Sequence, residues 1–134
     1  MWQIPRVIVN RMFGHAQRML PNECVGVLSG TGHTITGWHP LTNADADPSR
    51  FLADPQEQIT LFKQLRDAGQ QVVALYHSHP DGDAEPSEKD LAEAYYPEAL
   101  YLIVAMGTEG CLDLSAHLIQ DGKAIAQKVA ITEA

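Results

Sequence analysis

Two apolar runs of strand length constrain the fold of this chain most strongly. Residues 71–77 read QVVALYH and residues 100–106 read LYLIVAM. Continuous apolar runs of this length are typical of strands that are buried on both faces of a sheet. The first run passes directly into the polar sequence His77-Ser78-His79-Pro80. We therefore expect two central strands, with polar side chains at the end of the first.

The remaining segments carry a mixture of helix and strand patterns. Capping, turn and periodicity signals first predict a helix over 5–20 and a hairpin of 23–29 with 33–39 around Gly30-Thr31-Gly32. A mobile surface loop over 40–54 and a helix from Asp54 to Gly69 follow. After the first central strand, the signals predict a loop over 80–86, a short helix from Ser87 that stops at Pro97, and a closing hairpin of 111–119 with 123–131 around Asp121-Gly122. Because the later strands adjoin directly, we predict a mixed α/β sheet flanked by helices and not a doubly wound parallel fold.

Length and charge restrict the function classes. The 134 residues fit one domain over 1–134. Seventeen acidic and nine basic residues give a net charge of −8, which disfavours nucleic acid as a partner and is compatible with a basic protein partner. No apolar run approaches the roughly 20 residues that span a bilayer. Basic residues are spread through the N-terminal segment, so we interpret it as an amphipathic helix of a cytoplasmic protein.

The two cysteines, Cys24 and Cys111, form no CxxC motif. In a cytoplasmic chain this pattern predicts two reduced, buried thiols, while a disulfide or a redox role stays open.

A candidate metal site follows the first central strand. Side chains at positions i and i+2 of a strand share one face, so His77 and His79 can bind the same ion. Asp90 lies one turn into the next predicted helix and can supply an oxygen ligand. Two histidines and one carboxylate leave a fourth position open, as in catalytic zinc sites. Ser87 and Asp90 also match a helix capping pair, and the two roles compete at Asp90.

Two further residues can complete a hydrolytic site. Glu23, at the start of the first predicted hairpin strand, is the candidate general base, and Ser87 is the candidate donor to an oxyanion. Glu23 taken alone is equally compatible with a solvated carboxylate. His15, His33, His39 and His117 have no spaced partner, and we interpret them as structural or surface residues.

Together these positions resemble the signature of the JAMM metalloproteases, also called the MPN+ or Mov34 family. The matching residues are an early Glu23, then His77-Ser78-His79-Pro80, then Ser87-Glu88-Lys89-Asp90, with seven residues between His79 and Ser87. The order of predicted elements also agrees, so the resemblance covers most of the chain.

The resemblance implies a curved mixed sheet similar to that of cytidine deaminases, one zinc ion, and hydrolysis of isopeptide or peptide bonds after a C-terminal Gly-Gly. It assigns His77, His79 and Asp90 as zinc ligands, Glu23 as general acid/base and Ser87 as transition-state stabiliser. The short chain is most similar to bacterial members, which implies a ubiquitin-like or sulfur-carrier protein as substrate. Only loops 40–54 and 80–86 are then available to grip that substrate.

Other functions stay open from the sequence. A metal-free MPN-type binding module and a zinc peptidase for a small peptide are the alternatives. A zinc deaminase would need an HxE and PCxxC pattern, which neither cysteine provides. The oligomeric state is open, a homodimer included.

Overall fold

The computed structural model describes residues 1–45, 47, 50–108 and 111–133. Three helices and eight strands occur in this part of the chain. In chain order they are β1 Trp2–Pro5, α1 Arg6–Arg18, β2 Val25–Thr31, β3 Thr34–Leu41, α2 Pro55–Asp67, β4 Gln71–His79, α3 Glu88–Ala92, β5 Leu100–Thr108, β6 Cys111–Gln120, β7 Lys123–Ala126 and β8 Val129–Thr132.

All strands join one mixed sheet in the order β7-β6-β5-β4-β2-β3-β1-β8. The two apolar runs form the central pair β4 and β5, which are parallel, while β2 with β3 and β5 with β6 are antiparallel. The predicted mixed sheet with buried central strands is therefore confirmed.

The sheet curls until its two edges approach each other. Strands β7 and β8 lie at opposite ends of the strand order, yet only Gln127 and Lys128 separate them in the chain. So short a connection spans only about 10 Å. Across the gap, Trp2 Nε1 donates a hydrogen bond of 3.2 Å to Gln127 Oε1.

The helices cover opposite faces of the sheet. Helix α1 packs Ile8, Val9, Met12 and Ala16 against the main core, which contains strand residues such as Leu28, Ile35, Tyr76, Leu102 and Val104. Helix α2 packs Leu61 and Leu65 on the other face, against Val25, Val27 and Leu41. Because side chains alternate along β2 and β4, consecutive residues of these strands point to opposite faces of the sheet and pack in different cores.

Local start and stop signals predict α2 well. The Asp54 carboxylate accepts hydrogen bonds from the amides of Gln56 and Glu57, and Pro55 occupies the first turn. After the helix, Gly69 adopts a φ of +72°, a conformation that favours glycine.

Three predictions of element bounds were wrong. A strand, β1, precedes α1, because Trp2–Pro5 pairs in parallel with β8 at the other end of the chain. Helix α3 ends at Ala92, before Pro97, where the Tyr96 amide donates instead to Tyr101 Oη of β5. The last predicted strand is two strands, because β7 pairs with β6 whereas β8 pairs with β1.

The prediction of a buried, reduced thiol is confirmed for Cys24. Burial raises the pKa of this thiol to about 11, so it is protonated at neutral pH. The side chain of Cys111 lies outside the described residues. No helix in the described part of the chain is long and apolar enough to cross a membrane.

Candidate metal centre

The end of β4 directs its side chains to two different environments. Tyr76 and Ser78 point towards the α1 face, where Ser78 Oγ accepts a hydrogen bond of 2.8 Å from the Cys24 amide. His77 and His79 point to the opposite face, and their Nε2 atoms lie 3.1 Å apart. The predicted pairing of the two imidazoles on one face is therefore present.

Asp90 completes a cluster of three ligand atoms. Its Oδ2 atom lies 3.2 Å from His77 Nε2 and 3.0 Å from His79 Nε2. For an ion bound tetrahedrally at about 2.0–2.1 Å, ligand atoms are roughly 3.3–3.4 Å apart. The observed spacings approach this value, so the three atoms fit one small cation with little movement. The three side chains are only 5%, 14% and 8% exposed, in the order His77, His79 and Asp90.

The proton positions also favour a cation. His79 Nδ1 lies 2.8 Å from the carbonyl oxygen of Asp83. A carbonyl can only accept, so Nδ1 carries the hydrogen and the neutral ring presents the bare lone pair of Nε2 to the centre. His77 is held from the side by Phe51, whose ring stacks on the imidazole with centroids 4.6 Å apart.

Burial and pairing act in opposite directions on the pKa values of this cluster. Burial lowers the pKa of His77. For His79, burial also lowers the pKa, but the hydrogen bonds to Asp90 and Asp83 outweigh it, and the net shift is upward. Burial raises the pKa of Asp90, but the hydrogen bonds with both histidines outweigh it and hold the pKa well below its usual range. Asp90 is therefore an ionised carboxylate, which suits a metal ligand.

Asp90 also takes part in a complete capping box of α3. The Ser87 amide donates to Asp90 Oδ2 at 2.9 Å, and the Asp90 amide donates to Ser87 Oγ at 3.1 Å. The Asp90 Oδ2 atom that accepts from the Ser87 amide also faces both histidines, so the side chain has the same orientation for the cap and for the cluster. Ser87 accepts through an oxygen lone pair, so capping does not consume its hydroxyl proton.

Glu23 lies beside the cluster, two residues before β2, and is buried. One of its carboxylate oxygens lies within 4.8 Å of ligand nitrogens of His77 and His79, and these three side chains form a group that could hold a metal ion. Burial raises the pKa of Glu23 to about 7. A carboxyl group with this pKa can both take up and release a proton near neutral pH.

The loop over 40–54 holds the backbone of Glu23, a role that sequence reasoning missed. Asn43 Nδ2 donates to the Glu23 carbonyl at 3.0 Å, and the Glu23 amide donates to the Asp47 carbonyl at 3.1 Å. Asn43 is buried, and its Oδ1 accepts from the amides of Asp45 and Leu52. The sequence signals only the local Asx turn to Asp45, whereas the contact with Glu23 is long-range.

A cleft of about 450 Å³ opens next to His77. One wall is the described part of loop 40–54, the floor is strands β2 and β4, and the other wall follows α3. Its main apolar and aromatic lining residues are Val25, Val27, Phe51, Leu52, Tyr95 and Tyr96. The cleft therefore reaches the cluster at His77.

Solved structures place this arrangement in a fold class. A protein from Desulfitobacterium hafniense, known from its solution structure, superposes with a TM-score of 0.89 at 30% identity, over 100% of this chain and 94% of that chain. A JAB1/MPN domain protein from Archaeoglobus fulgidus superposes with a TM-score of 0.65 at 19% identity, over 99% and 98% of the two chains, which shows a likeness of fold alone. The JAB/MPN fold implied by the motif is thus confirmed.

Sequence relatives identify the family. The protein-family model described as prokaryotic homologs of the JAB domain matches residues 5–115 of the sequence. The chain therefore belongs to this family. A CysO-cysteine peptidase from Mycobacterium tuberculosis is 34% identical over 128 residues, which cover 94% of this chain and 88% of that protein. A probable TtuB-protein conjugate cleaving protease from Thermus thermophilus is 34% identical over 124 residues, which cover 92% and 79%. Relatives over most of the chain are therefore peptidases.

Proposed function

We propose that this chain is a zinc-dependent peptidase that hydrolyses the bond after the C-terminal Gly-Gly of a ubiquitin-like or sulfur-carrier protein. The observation that carries the proposal is the cluster of His77 Nε2, His79 Nε2 and Asp90 Oδ2 within 3.2 Å of one another. Two relatives are named for cleaving CysO-cysteine and TtuB-protein conjugates, which supports a conjugate of a small carrier protein as substrate.

His77, His79 and Asp90 would hold the zinc ion, and Glu23 would remain outside its ligands. The position of Asp90 supports this assignment, because its Oδ2 atom lies 3.0 Å and 3.2 Å from the two Nε2 atoms. Two nitrogens and a carboxylate oxygen are a common ligand set for catalytic zinc. When bound, zinc supplies a Lewis acid that activates water and stabilises negative charge on the scissile carbonyl oxygen.

Glu23 and Ser87 carry the proton transfer and the charge stabilisation. Glu23 takes a proton from the water that attacks the carbonyl carbon. Ser87 donates its hydroxyl hydrogen to the developing oxyanion, while its oxygen lone pair remains in the cap of α3. Glu23 then gives its proton to the leaving nitrogen as the C–N bond breaks. The products are a carrier with a C-terminal carboxyl group and a free amine.

The cleft beside His77 would bind the extended tail of the carrier. Its apolar and aromatic walls suit a flexible peptide that leaves water on binding. The Phe51 ring stacks on His77 from one side and would narrow the space for a substrate next to the centre. Glycine residues can pass there without a side chain to displace Phe51. An intracellular carrier as substrate is consistent with the predicted cytoplasmic location.

Metal analysis and one cleavage assay test the proposal. The purified protein is loaded with zinc and mixed with a ubiquitin-like carrier that ends in Gly-Gly followed by one further residue. We expect one zinc per chain and a mass loss equal to the released residue, both abolished by a chelator and restored by zinc. A carrier with Ala-Ala in place of Gly-Gly is the matched control and should remain intact.

The other functions predict different results. Carrier binding without cleavage by the zinc-loaded protein would indicate a non-catalytic MPN-type module. Equal cleavage of a free Gly-Gly-X peptide and of the folded carrier would indicate a peptidase for small peptides. A protein that takes up no stoichiometric zinc would contradict the proposed chemistry altogether.

A further inference from the structure

Three consecutive carbonyl groups of loop 80–86 accept hydrogen bonds from strands β5, β4 and β6 in turn. The Gly82 carbonyl accepts a hydrogen bond of 3.1 Å from the Gly107 amide of β5. The Asp83 carbonyl accepts from His79 Nδ1 at 2.8 Å. The Ala84 carbonyl accepts from Ser115 Oγ of β6 at 2.5 Å. The carbonyl that orients His79 therefore lies between two carbonyls that the sheet holds in place.

Gly107 allows β5 to approach the loop closely. A Cβ atom at this position would lie 2.5 Å from Gly82 O, 2.9 Å from Gly82 C and 3.0 Å from Asp81 C. All three are backbone atoms, which cannot rotate away as the end of a side chain can. Any side chain at position 107 would therefore displace the loop and move the Asp83 carbonyl.

The hydrogen bond from Ser115 has a defined direction. The Ala84 carbonyl can only accept, so the single hydroxyl hydrogen of Ser115 must be donated to it. His117 Nε2 lies 3.1 Å from Ser115 Oγ and therefore donates its hydrogen to that oxygen. His117 is buried on β6. The sequence predicted His117 to be a structural or surface residue, and the structure gives it Ser115 as a hydrogen-bond partner.

We propose that Ser115, His117 and Gly107 are positioning residues for the metal ligand His79. They hold the 82–84 carbonyls so that Asp83 fixes the tautomer and the ring orientation of His79, with Nε2 directed at the ion. Outer partners of this kind typically change metal affinity by about 10- to 100-fold when they are removed. The proposed roles depend on the proposed metal centre and not on the identity of the substrate.

Zinc affinity, measured by competition with a chromogenic chelator, tests these roles without a substrate. We expect Ser115→Ala to weaken zinc binding by about tenfold. Ser115→Thr retains the hydroxyl group and should bind zinc as the wild type does. Ser29→Ala is the matched control, because it removes another buried strand hydroxyl, one that pairs with His39 at 2.8 Å, far from loop 80–86 in the sequence. Its zinc affinity should be unchanged.

A second variant and a spectroscopic readout complete the test. Gly107→Ala should weaken zinc binding at least as much as Ser115→Ala, so the proposal can be judged even if one variant fails to fold. In zinc-loaded wild type, the His79 Nδ1 hydrogen should give a slowly exchanging imidazole signal in proton–nitrogen NMR spectra, and either variant should broaden or lose it. Zinc affinities within twofold of wild type in both folded variants would overturn the proposal. Failure of the wild type itself to bind zinc would instead contradict the proposed function.

Discussion

Two buried polar clusters lie on opposite faces of β4, and they differ in how their hydrogens are distributed. On the α1 face, Trp38 Nε1 donates to Tyr76 Oη at 2.9 Å, and Tyr76 Oη lies 2.8 Å from His15 Nδ1, to which we assign the acceptor role for the hydroxyl hydrogen. Burial raises the pKa of Tyr76 and lowers the pKa of His15, so both side chains are neutral. The hydrogens of Trp38 Nε1 and Tyr76 Oη thus both have acceptors within this cluster.

The cluster on the other face instead directs a carboxylate oxygen and two imidazole nitrogens at one another, with the Nδ1 hydrogen of His79 turned outward. His79 Nε2, His77 Nε2 and the ionised Asp90 converge on one point, and the Asp83 carbonyl already takes the Nδ1 hydrogen of His79. Both clusters are buried and both contain histidine, so neither burial nor residue type distinguishes them. The ionised Asp90 carboxylate that faces two imidazole nitrogens does distinguish them, and it supports the proposed cation site in the second cluster.

The largest expected effect of a single change is on hydrolysis in Glu23→Gln. The amide has nearly the shape of the carboxyl group but cannot take up a proton, and general acid–base catalysis typically contributes about 10²- to 10⁴-fold. We expect kcat to fall by at least about 10²-fold while one zinc per chain is retained, as measured by carrier cleavage and metal analysis. Activity within tenfold of wild type would remove Glu23 from the proposed proton transfer.

Changes at Asp90 separate its ligand role from its capping role. Asp90→Asn retains an oxygen that can accept from the Ser87 amide, whereas Asp90→Ala retains none. Both variants should bind zinc at least about tenfold more weakly in chelator competition, because losing a metal ligand should weaken binding no less than losing a hydrogen-bond partner of a ligand does. In zinc-free protein only Asp90→Ala should also lose about 1 kcal/mol of unfolding free energy, the usual value of a helix cap. Wild-type zinc affinity in Asp90→Asn would reduce Asp90 to a capping residue.

The opposite cluster should affect stability and not the metal. Tyr76→Phe removes the hydroxyl group that joins Trp38 to His15 and leaves two buried polar atoms without this partner. We expect a loss of about 1–3 kcal/mol of unfolding free energy in urea titrations, with zinc affinity unchanged. A large loss of zinc affinity in the folded variant would show that the two faces of β4 are not independent.

The smallest expected effect is the pH dependence that comes from His15. Burial and the charge of Arg18 lower its folded-state pKa below the usual value of 6.5. The unfolded chain then binds this proton at a higher pH than the folded chain does. The contribution of neutral His15 to the free energy of unfolding is therefore complete above pH 6.5. It is lost as the pH falls through the folded-state pKa of His15.

His15→Asn keeps an acceptor for the Tyr76 hydroxyl but cannot titrate. In urea titrations of zinc-loaded protein, wild-type stability should fall more steeply on acidification than that of the variant. His77 and His79 are present in both proteins, so their titration cancels from the difference. Parallel pH profiles would show that His15 is not the responsible group.

Local patterns predict most of the site, because most of its geometry follows from neighbours in the chain. Strand alternation at 77–79 and the capping box at 87–90 are both present. The family signature adds Glu23 to them, and the structure brings it beside both histidines. The sequence could not show that capping and the proposed metal ligation share the Oδ2 atom of Asp90, because this depends on the fold of loop 80–86.

Long-range contacts account for the features that were not predicted. Strands β1 and β8 are only four residues each, and they form because they pair with each other across the whole chain. Asn43 binds the Glu23 carbonyl, and Ser115 binds the Ala84 carbonyl. The local sequence indicates only a loop residue at Asn43 and a strand residue at Ser115. The long-range hydrogen bond of each depends on the tertiary fold.

Strand alternation also keeps a competing ligand away from the centre. Cys24 directly follows Glu23, but its side chain is packed in the α1 core and its raised pKa keeps it a thiol. Thiolates bind soft ions such as Cu(I) tightly and are the form that peroxides attack. The chain can therefore hold a cysteine next to its proposed proton carrier without diverting the site to soft metals or exposing it to oxidative inactivation.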